Sequence, residues 1–477
     1  MAVSDARVVE PDAGSAAVVA TVSLSERQPG DLRVAWSTAV DPADHLPRSG
    51  TATIPAGRLA ARIQLWARGD TAAEGPETFR VVLDRASTTV PVSGGRRRLV
   101  VEDGDPALGV EDVHLLGVEV AVAGHQRYVH DRATGLTTLE SRAGDGTQAI
   151  GFSRAPEISG DGRFVAFESN AANLVPGDTN GLADVFVHDR ATGATTRASL
   201  ATGGAQAEGT SGEASLSADG RFVAFSSDAG DLVAGDTAGS TDVFVHDLAT
   251  GTTSLASVPL DGTSDGQSYN PALSGDGRFV SYTSTATDQV AGDTNAVADV
   301  SVHDLATGLT TRVSRAPDGS QLTLPSQVPA LSADGRIVAF DSYDEALVPG
   351  DTNHSLDVFV HDTAAGTTVR ASRASGGAQG NNPSSQPMLS ADGRFVMFTS
   401  LATNLGPGDT NGFYDVYRHE IATGATSRLS PGAEVGNSFP AALSADGRWA
   451  VFVSEADNLV PGDTNVRPDV FVRGPPS

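Results

Sequence analysis

One short pattern, Ser-x-Asp-Gly followed by Arg, returns six times in this 477-residue chain, at Ser159, Ser217, Ser274, Ser332, Ser390 and Ser444, with spacings of 58, 57, 58, 58 and 54 residues. A period of this length marks a repeated supersecondary unit that stacks on its neighbours to bury a shared core. Each copy continues through an apolar run such as RFVAFSS (221 to 227), a Gly-Asp-Thr loop, the run DVFVHD, a Thr-Gly turn and a last run such as TTSLAS (252 to 257). Four short β-rich runs per unit predict the blade of a β-propeller, so the fold class is all-β.

The turn chemistry supports each link. Asp-Gly between two apolar runs is a strong hairpin signal, and Thr-Gly closes the second hairpin. The stretch from 228 to 241 reads as a long loop between the second and third strands. In a blade of this order the long loops and the linkers between blades share one face, which is the expected binding face. There are six Ser-x-Asp-Gly units but seven third-strand copies, because RYVHDRATGLTTLES (127 to 141) matches without an Asp-Gly hairpin before it. Seven blades are favoured, with DVHLLGVEVAVAG (112 to 124) supplying a degenerate start. Six blades are the alternative, with the N-terminal fragment completing the last one.

Residues 1 to 104 stand outside the repeat. Alternating runs at 16 to 25, 31 to 38, 58 to 67, 77 to 84 and 96 to 103, joined by Gly, Pro and Asp turns, predict a small antiparallel β-sandwich ahead of the propeller at 105 to 477. The net charge is −27, from 59 carboxylates against 32 basic residues, all of them Arg. A field of that sign repels phosphate, which excludes nucleic acid as an expected partner and favours cations. With no cysteine there is no disulfide, thiolate metal site or Cys nucleophile. No apolar run is long enough to span a membrane, and MAVSDARVVEPDAG has neither the basic nor the apolar region of a signal peptide. The chain is expected to be a monomer.

The unit S-x-D-G-R-[FIW]-[VA] followed by D-V-F-V-H-D-x-x-T-G-x-T resembles the PD40, or WD40-like, repeats of TolB-type propellers over roughly residues 110 to 475. That resemblance implies a propeller that acts by binding and is exported, placing it outside the cell or in the envelope. The N-terminal region resembles a Calx-β domain through Val8-Val9-Glu10, residues 49 to 57, Glu74, Glu77, Phe79 and the closing Val101-Glu102-Asp103-Gly104-Asp105. In that family acids at one end of the sandwich bind Ca²⁺, which maps here to Glu10, Asp70, Glu74, Glu77, Asp103 and Asp105. Gly69 and Gly104 stand where further acids are usual, which thins the site.

The repeated loops offer a second calcium candidate. Asp178, Asn180 and Asp184 lie at offsets 0, 2 and 6, and the spacing returns at Asp351, Asn353 and Asp357 and in the other copies, with Ala238 replacing Asn in the second. Hard cations take six to eight oxygens, and D-x-N-x-x-x-D offers three side chains that carry them. The pattern resembles the calcium loops of FG-GAP propellers. Against it, the usual ligand position between is filled by Leu182, Val297, Phe413 and others, and Asp189 is about 16 Å along the strand at roughly 3.3 Å per residue. The competing reading is an Asx turn, whose side chain bonds its own backbone two residues on.

His130, His188, His246, His303, His361 and His419 repeat at one strand position, as do the Ser and Asp of S-x-D-G. Catalysis requires one asymmetric constellation, so these read as scaffold and no catalytic residue is assigned. Gln148, Gln206, Gln321 and Gln379 recur in the linkers, with Gln267 in a related setting, either lining a shallow glycan or peptide site or capping strand ends. A unique site must use unrepeated residues, such as Tyr269, Tyr343, Tyr414 and Trp449. The expectation is a non-catalytic binding or scaffold protein whose loop face takes a protein or polysaccharide, with calcium as its only candidate cofactor. The alternative is a divalent-metal-dependent polysaccharide lyase, for which His114, His125 and His354 are the unrepeated histidines, and they lie in separate regions of the array.

Overall fold

A computed structural model describes residues 126–477 except 132–135, 235, 237–239, 261, 263, 432–434, 461–462, 464–466 and 475–477; of residues 1–125 it describes the strands, by backbone alone. The chain divides into two compact units, residues 1–107 and 108–477. Both are built of strands, and among the described residues Glu345–Leu347 is the single helical turn. Among the described residues no helix is long and apolar enough to cross a membrane.

The first unit holds two sheets. Ala2–Val3, Gly14–Ser23 and Ala60–Gly69 make one of three strands; Val8–Glu10, Arg97–Asp103, Thr78–Ala86, Leu32–Ala39 and Ser49–Ile54 make one of five, in that order. Ser49–Ile54, a strand, joins the runs legible in the sequence. The pairing of Val8–Glu10 with Arg97–Asp103 is parallel and sets Glu10 opposite Asp103, a departure from the antiparallel expectation.

The second unit is a β-propeller of six blades, one per Ser-x-Asp-Gly unit. The first blade is the antiparallel meander Ser153–Ile158, Phe164–Ser169, Asp184–Asp189 and Ala194–Arg197. Four more of the same order begin at Ser211–Leu216, Ser268–Leu273, Ser326–Leu331 and Ser384–Leu389. The sixth has three strands, Ser438–Leu443, Ala450–Ser454 and Asp469–Arg473. The favoured count of seven is therefore corrected to six. Val118–Ala123, Gln126–Asp131 and Leu136–Leu139 form a three-stranded sheet that lacks the Ser-x-Asp-Gly-Arg turn joining first and second strands elsewhere. It still shares the interior of the first blade, packing Val129 with Ile158, Val165 and Phe167. Its strand Leu136–Leu139 pairs with Gln126–Asp131 and does not complete the sixth blade.

The core lies between successive blades. Second and third strands set aromatic rings opposite one another, as with Phe167 and Phe186 at 5.9 Å and Phe225 and Phe244 at 5.8 Å, all fully buried. Rings at this separation add to plain area burial. The Ser-x-Asp-Gly-Arg turn is locked from within. Ser159 Oγ donates to Asp161 Oδ1 at 2.7 Å and accepts from the Phe164 N–H, while Asp161 Oδ1 accepts from the Arg163 N–H. Arg163 then clamps Asp189 through two bonds of 2.9 and 2.7 Å, closing the second strand onto the third. The glycine of this turn also serves the packing between blades, since Gly220, at φ +69°, leaves room for the Phe164 ring of the blade before it.

Candidate functional site

The Gly-Asp-Thr loops meet the end of the fourth strand and the linker to the next blade. In the first blade the Arg197 guanidinium lies 3.3 Å from Asp178 and 3.4 Å from Asp184, with all three side chains buried. Gln206 Nε2 donates to Asp178 and Asp184 at 3.1 and 3.3 Å, and its Oε1 accepts from the Thr179 N–H. Ser199 donates to Asp184 at 2.6 Å. Burial raises the Asp184 carboxyl above the usual range, opposed by Ser199 and Arg197. Asn180 makes the expected Asx turn, accepting from the Leu182 N–H, and its amide donates to the Ala207 carbonyl.

The same set recurs in three further blades. Arg312 lies 3.2 Å from both Asp293 and Asp299; Arg370 lies 2.6 Å from Asp351 and 3.4 Å from Asp357; Arg428 lies 3.8 Å from Asp409 and 3.1 Å from Asp415. These arginines escaped sequence reasoning, although each stands thirteen positions after its Asp. They decide the fit of calcium here. A hard cation needs converging oxygens, whereas these acids face a guanidinium and the N–H groups of Gln206 or, in the fourth blade, of Asn353, which donates to Asp357 at 2.7 Å. The donor set at Asp178, Asn180, Asp184, Asp351, Asn353 and Asp357 does not fit Ca²⁺, because its positive partner is already covalently part of the chain. Among the described residues no group of three or more His, Asp or Glu could hold a metal ion.

The second blade breaks the set. It keeps Asp236 and Asp242 but has Ala238 for the Asn and Leu255 for the Arg. Asp242 is buried and accepts from Ser257 at 2.8 Å and Ser240 at 3.1 Å; its burial raises the carboxyl, with no guanidinium to oppose it. A cavity of about 500 Å³ opens here, lined by Asp236, Asp242, Leu255, Val258 and Pro259 among others.

The repeated histidines form hydrogen bonds within the fold. His188 Nδ1 lies 2.8 Å from Thr195 Oγ1, which donates to the Arg142 carbonyl of the sheet before it. His246 and His419 repeat this latch through Thr253 and Thr426. With the Thr proton committed to a carbonyl, His Nδ1 is the donor. Burial lowers the basicity of all five histidines in this register from His188 to His419, and that of His419 to about 4. Of the lyase candidates, His354 is exposed and paired with Glu345, while His114 and His125 lie outside the described residues.

The inner strands carry a feature that their sequence does not announce. Each of the first five has a bulge with a non-glycine residue at positive φ: Ala155, Glu213, Asn270, Val328 and Gln386, from 46° to 55°. Neighbouring acids tie the bulges down: Glu213 accepts from the Asn270 N–H at 2.8 Å and Asp341 from the Gln386 N–H at 3.3 Å. Asp341 is almost fully buried, its other oxygen lacks a hydrogen-bond partner, and burial pushes its pKa up to about 7.

The linker glutamines are held within the fold: Gln206, Gln321 and Gln379 bind the Gly-Asp-Thr loops, which favours capping over a ligand site. Gln267 is not their equivalent, since it directly precedes the inner strand Ser268–Leu273. Tyr414 packs on Phe439, Tyr269 is half-buried, and Tyr343 and Trp449 are exposed in different blades. Asp70, Glu74, Glu77 and Asp105 lie outside the described residues, as do the side chains of Glu10 and Asp103.

No known family profile and no curated protein matches the chain. Solved structures do. The putative TolB from Agrobacterium tumefaciens is similar at 16% identity and a TM-score of 0.39, over 77% of this chain and 100% of that one. The Porphyromonas gingivalis dipeptidyl peptidase 4 is similar at 14% identity and a TM-score of 0.41, over 75% of this chain and 50% of that one. An apo-form Calx CBD1 domain is similar at 18% identity and a TM-score of 0.18, over 21% of this chain and 91% of that domain.

Proposed function

We propose that the chain is a non-catalytic binding protein of the cell envelope or its surroundings, whose propeller presents its loop face to a protein or polysaccharide. One observation carries this reading. The repeated acids, arginines, histidines, serines and glutamines are engaged with one another inside the fold, while the linkers between blades turn large apolar side chains outward. Ile150 is 77% exposed, Leu260 66%, Leu324 44% and Val435 64%, and each lies on a linker. Others stand on the outer strands, at Leu136, Leu309 and Val369, but the linkers carry the largest share, and exposed apolar groups on neighbouring loops are a mark of an interaction surface. Calcium, in this reading, belongs to the acids of the first unit and not to the blades.

The test presents immobilised chain with purified soluble polysaccharides, neutral and acidic, and with isolated envelope proteins, with and without divalent cations. Saturable binding without turnover, lost in a Leu260→Asp/Leu324→Asp variant of unchanged melting temperature, supports the reading. Metal-dependent cleavage of any polysaccharide overturns the non-catalytic assignment, and binding that survives the double substitution overturns the loop face.

A further inference from the structure

Four blades show what a pair of Gly-Asp-Thr acids binds in this fold: a guanidinium, supplied by Arg197, Arg312, Arg370 or Arg428. In the second blade Leu255 replaces that arginine and Ala238 the asparagine, yet both acids remain. The linker there also differs: the Gln206-type bridge to the third residue past the outer strand, present in four other linkers, is missing among the described residues, and the linker runs SVPLDGTSDGQ from Ser257 to Gln267. The arginine, the asparagine and the glutamine are thus replaced together while the carboxylates persist. Asp242 is 1% exposed and has hydroxyl groups, not a guanidinium, at its oxygens. Keeping a carboxylate so deeply buried after its cation has gone costs stability, because the group leaves water at several kcal/mol unless a partner replaces the hydration.

The cavity supplies the second, independent observation. About 500 Å³ lies open beside Leu255, which stands where other blades carry the arginine, and its lining includes Asp236 and Asp242 together with Val233, Leu255, Val258 and Pro259. A lining that combines carboxylates with apolar side chains suits a planar cation on a hydrocarbon stem, since the fork of a guanidinium meets a carboxylate through two N–H groups and its methylenes pack on apolar surface. A bare divalent ion would leave those walls facing water and would lack oxygens.

We infer that the second blade binds a guanidinium group from outside the chain, the arginine side chain of a peptide or a small free guanidine, in the place its sibling blades fill with their own arginine. This deepens the loop-face reading and rests on it for biological meaning, but its test is independent, because the probe is a defined small molecule and not the unidentified partner.

The probes are methylguanidinium, N-acetyl-arginine amide, N-acetyl-lysine amide and a Gly-Arg-Gly peptide, titrated calorimetrically into the full chain. The arginine amide is expected to bind at least tenfold more tightly than the lysine amide. Tighter binding of the peptide than of the amide assigns a peptide source, and equal binding a free guanidine. Leu255→Arg, which supplies the intramolecular guanidinium, is expected to abolish binding while keeping or raising the melting temperature. Asp242→Asn is expected to weaken it at least tenfold. Absence of binding at millimolar probe, equal affinity for the lysine amide, or unchanged binding in a folded Leu255→Arg variant would each overturn the inference.

Discussion

Arg197 stands between two carboxylates from one loop, 3.3 Å from Asp178 and 3.4 Å from Asp184, and is itself only 5% exposed. The ionic centre of the blade is therefore closed by the chain's own fourth strand. Removing one partner of a buried pair leaves uncompensated charge, so Arg197→Leu is expected to lower stability by about 3–5 kcal/mol. The surface clamp between Arg163 and Asp189 has its arginine 46% exposed, where water screens the pair, so Arg163→Ala should cost only a small fraction of that loss. Urea unfolding of the two variants measures the contrast, and equal losses would sink it.

The period, strands and turns of the propeller were legible because they depend on local chemistry that repeats: Asp-Gly hairpins, alternating apolar runs and a fixed unit length. The blade count misled because RYVHDRATGLTTLES copies third-strand chemistry without the turn that makes a complete unit. The loop acids were legible as a spacing but not as a site. Their partner comes from another strand, so the spacing D-x-N-x-x-x-D looked short of oxygens when it was in fact complete with a guanidinium. The positive φ of Val328 was not legible at all, since a β-branched residue is the last expected in that conformation and only the bulge in the strand register imposes it.

Gly220 tests the packing between blades. At φ +69° an L side chain is strained, and a Cβ there would approach the Phe164 ring to 2.2 Å. Gly220→Ala should therefore cost at least about 1–3 kcal/mol from the backbone alone. Phe164→Ala removes the Cγ and Cδ2 atoms that the new Cβ would strike, so combining the two should give less than the sum of the separate losses. Strict additivity in the double-mutant cycle would refute the contact.

The buried histidines give the acid limb of stability a definite sign. His419 is lowered to about 4, by burial first and by the charge of Arg373 second. Its unfolded value is near 6.5, so between about pH 6.5 and 4 the unfolded chain binds the extra proton and the native state loses stability as pH falls. A shift of this size corresponds to roughly 3 kcal/mol. His419→Gln should flatten the pH dependence of the melting temperature in that window, leaving the alkaline side unchanged. An unaltered slope would mean the imidazole is not held neutral.

Asp341 acts in the opposite direction. Its burial pushes the native pKa up to about 7, while an unfolded aspartate titrates near 4. Between those values the native state holds a proton that the unfolded chain has lost, so stability falls as pH rises from about 4 to 7 and is level above it. Replacing the carboxyl with an amide of the same shape removes the titration while keeping an acceptor for the Gln386 N–H. Asp341→Asn should thus be close to wild type at pH 4 and more stable at pH 8, by up to about 4 kcal/mol for a shift of this size. Melting curves at the two pH values decide it, because a carboxylate that was ionised and satisfied in the native state would make the same substitution destabilising at pH 8.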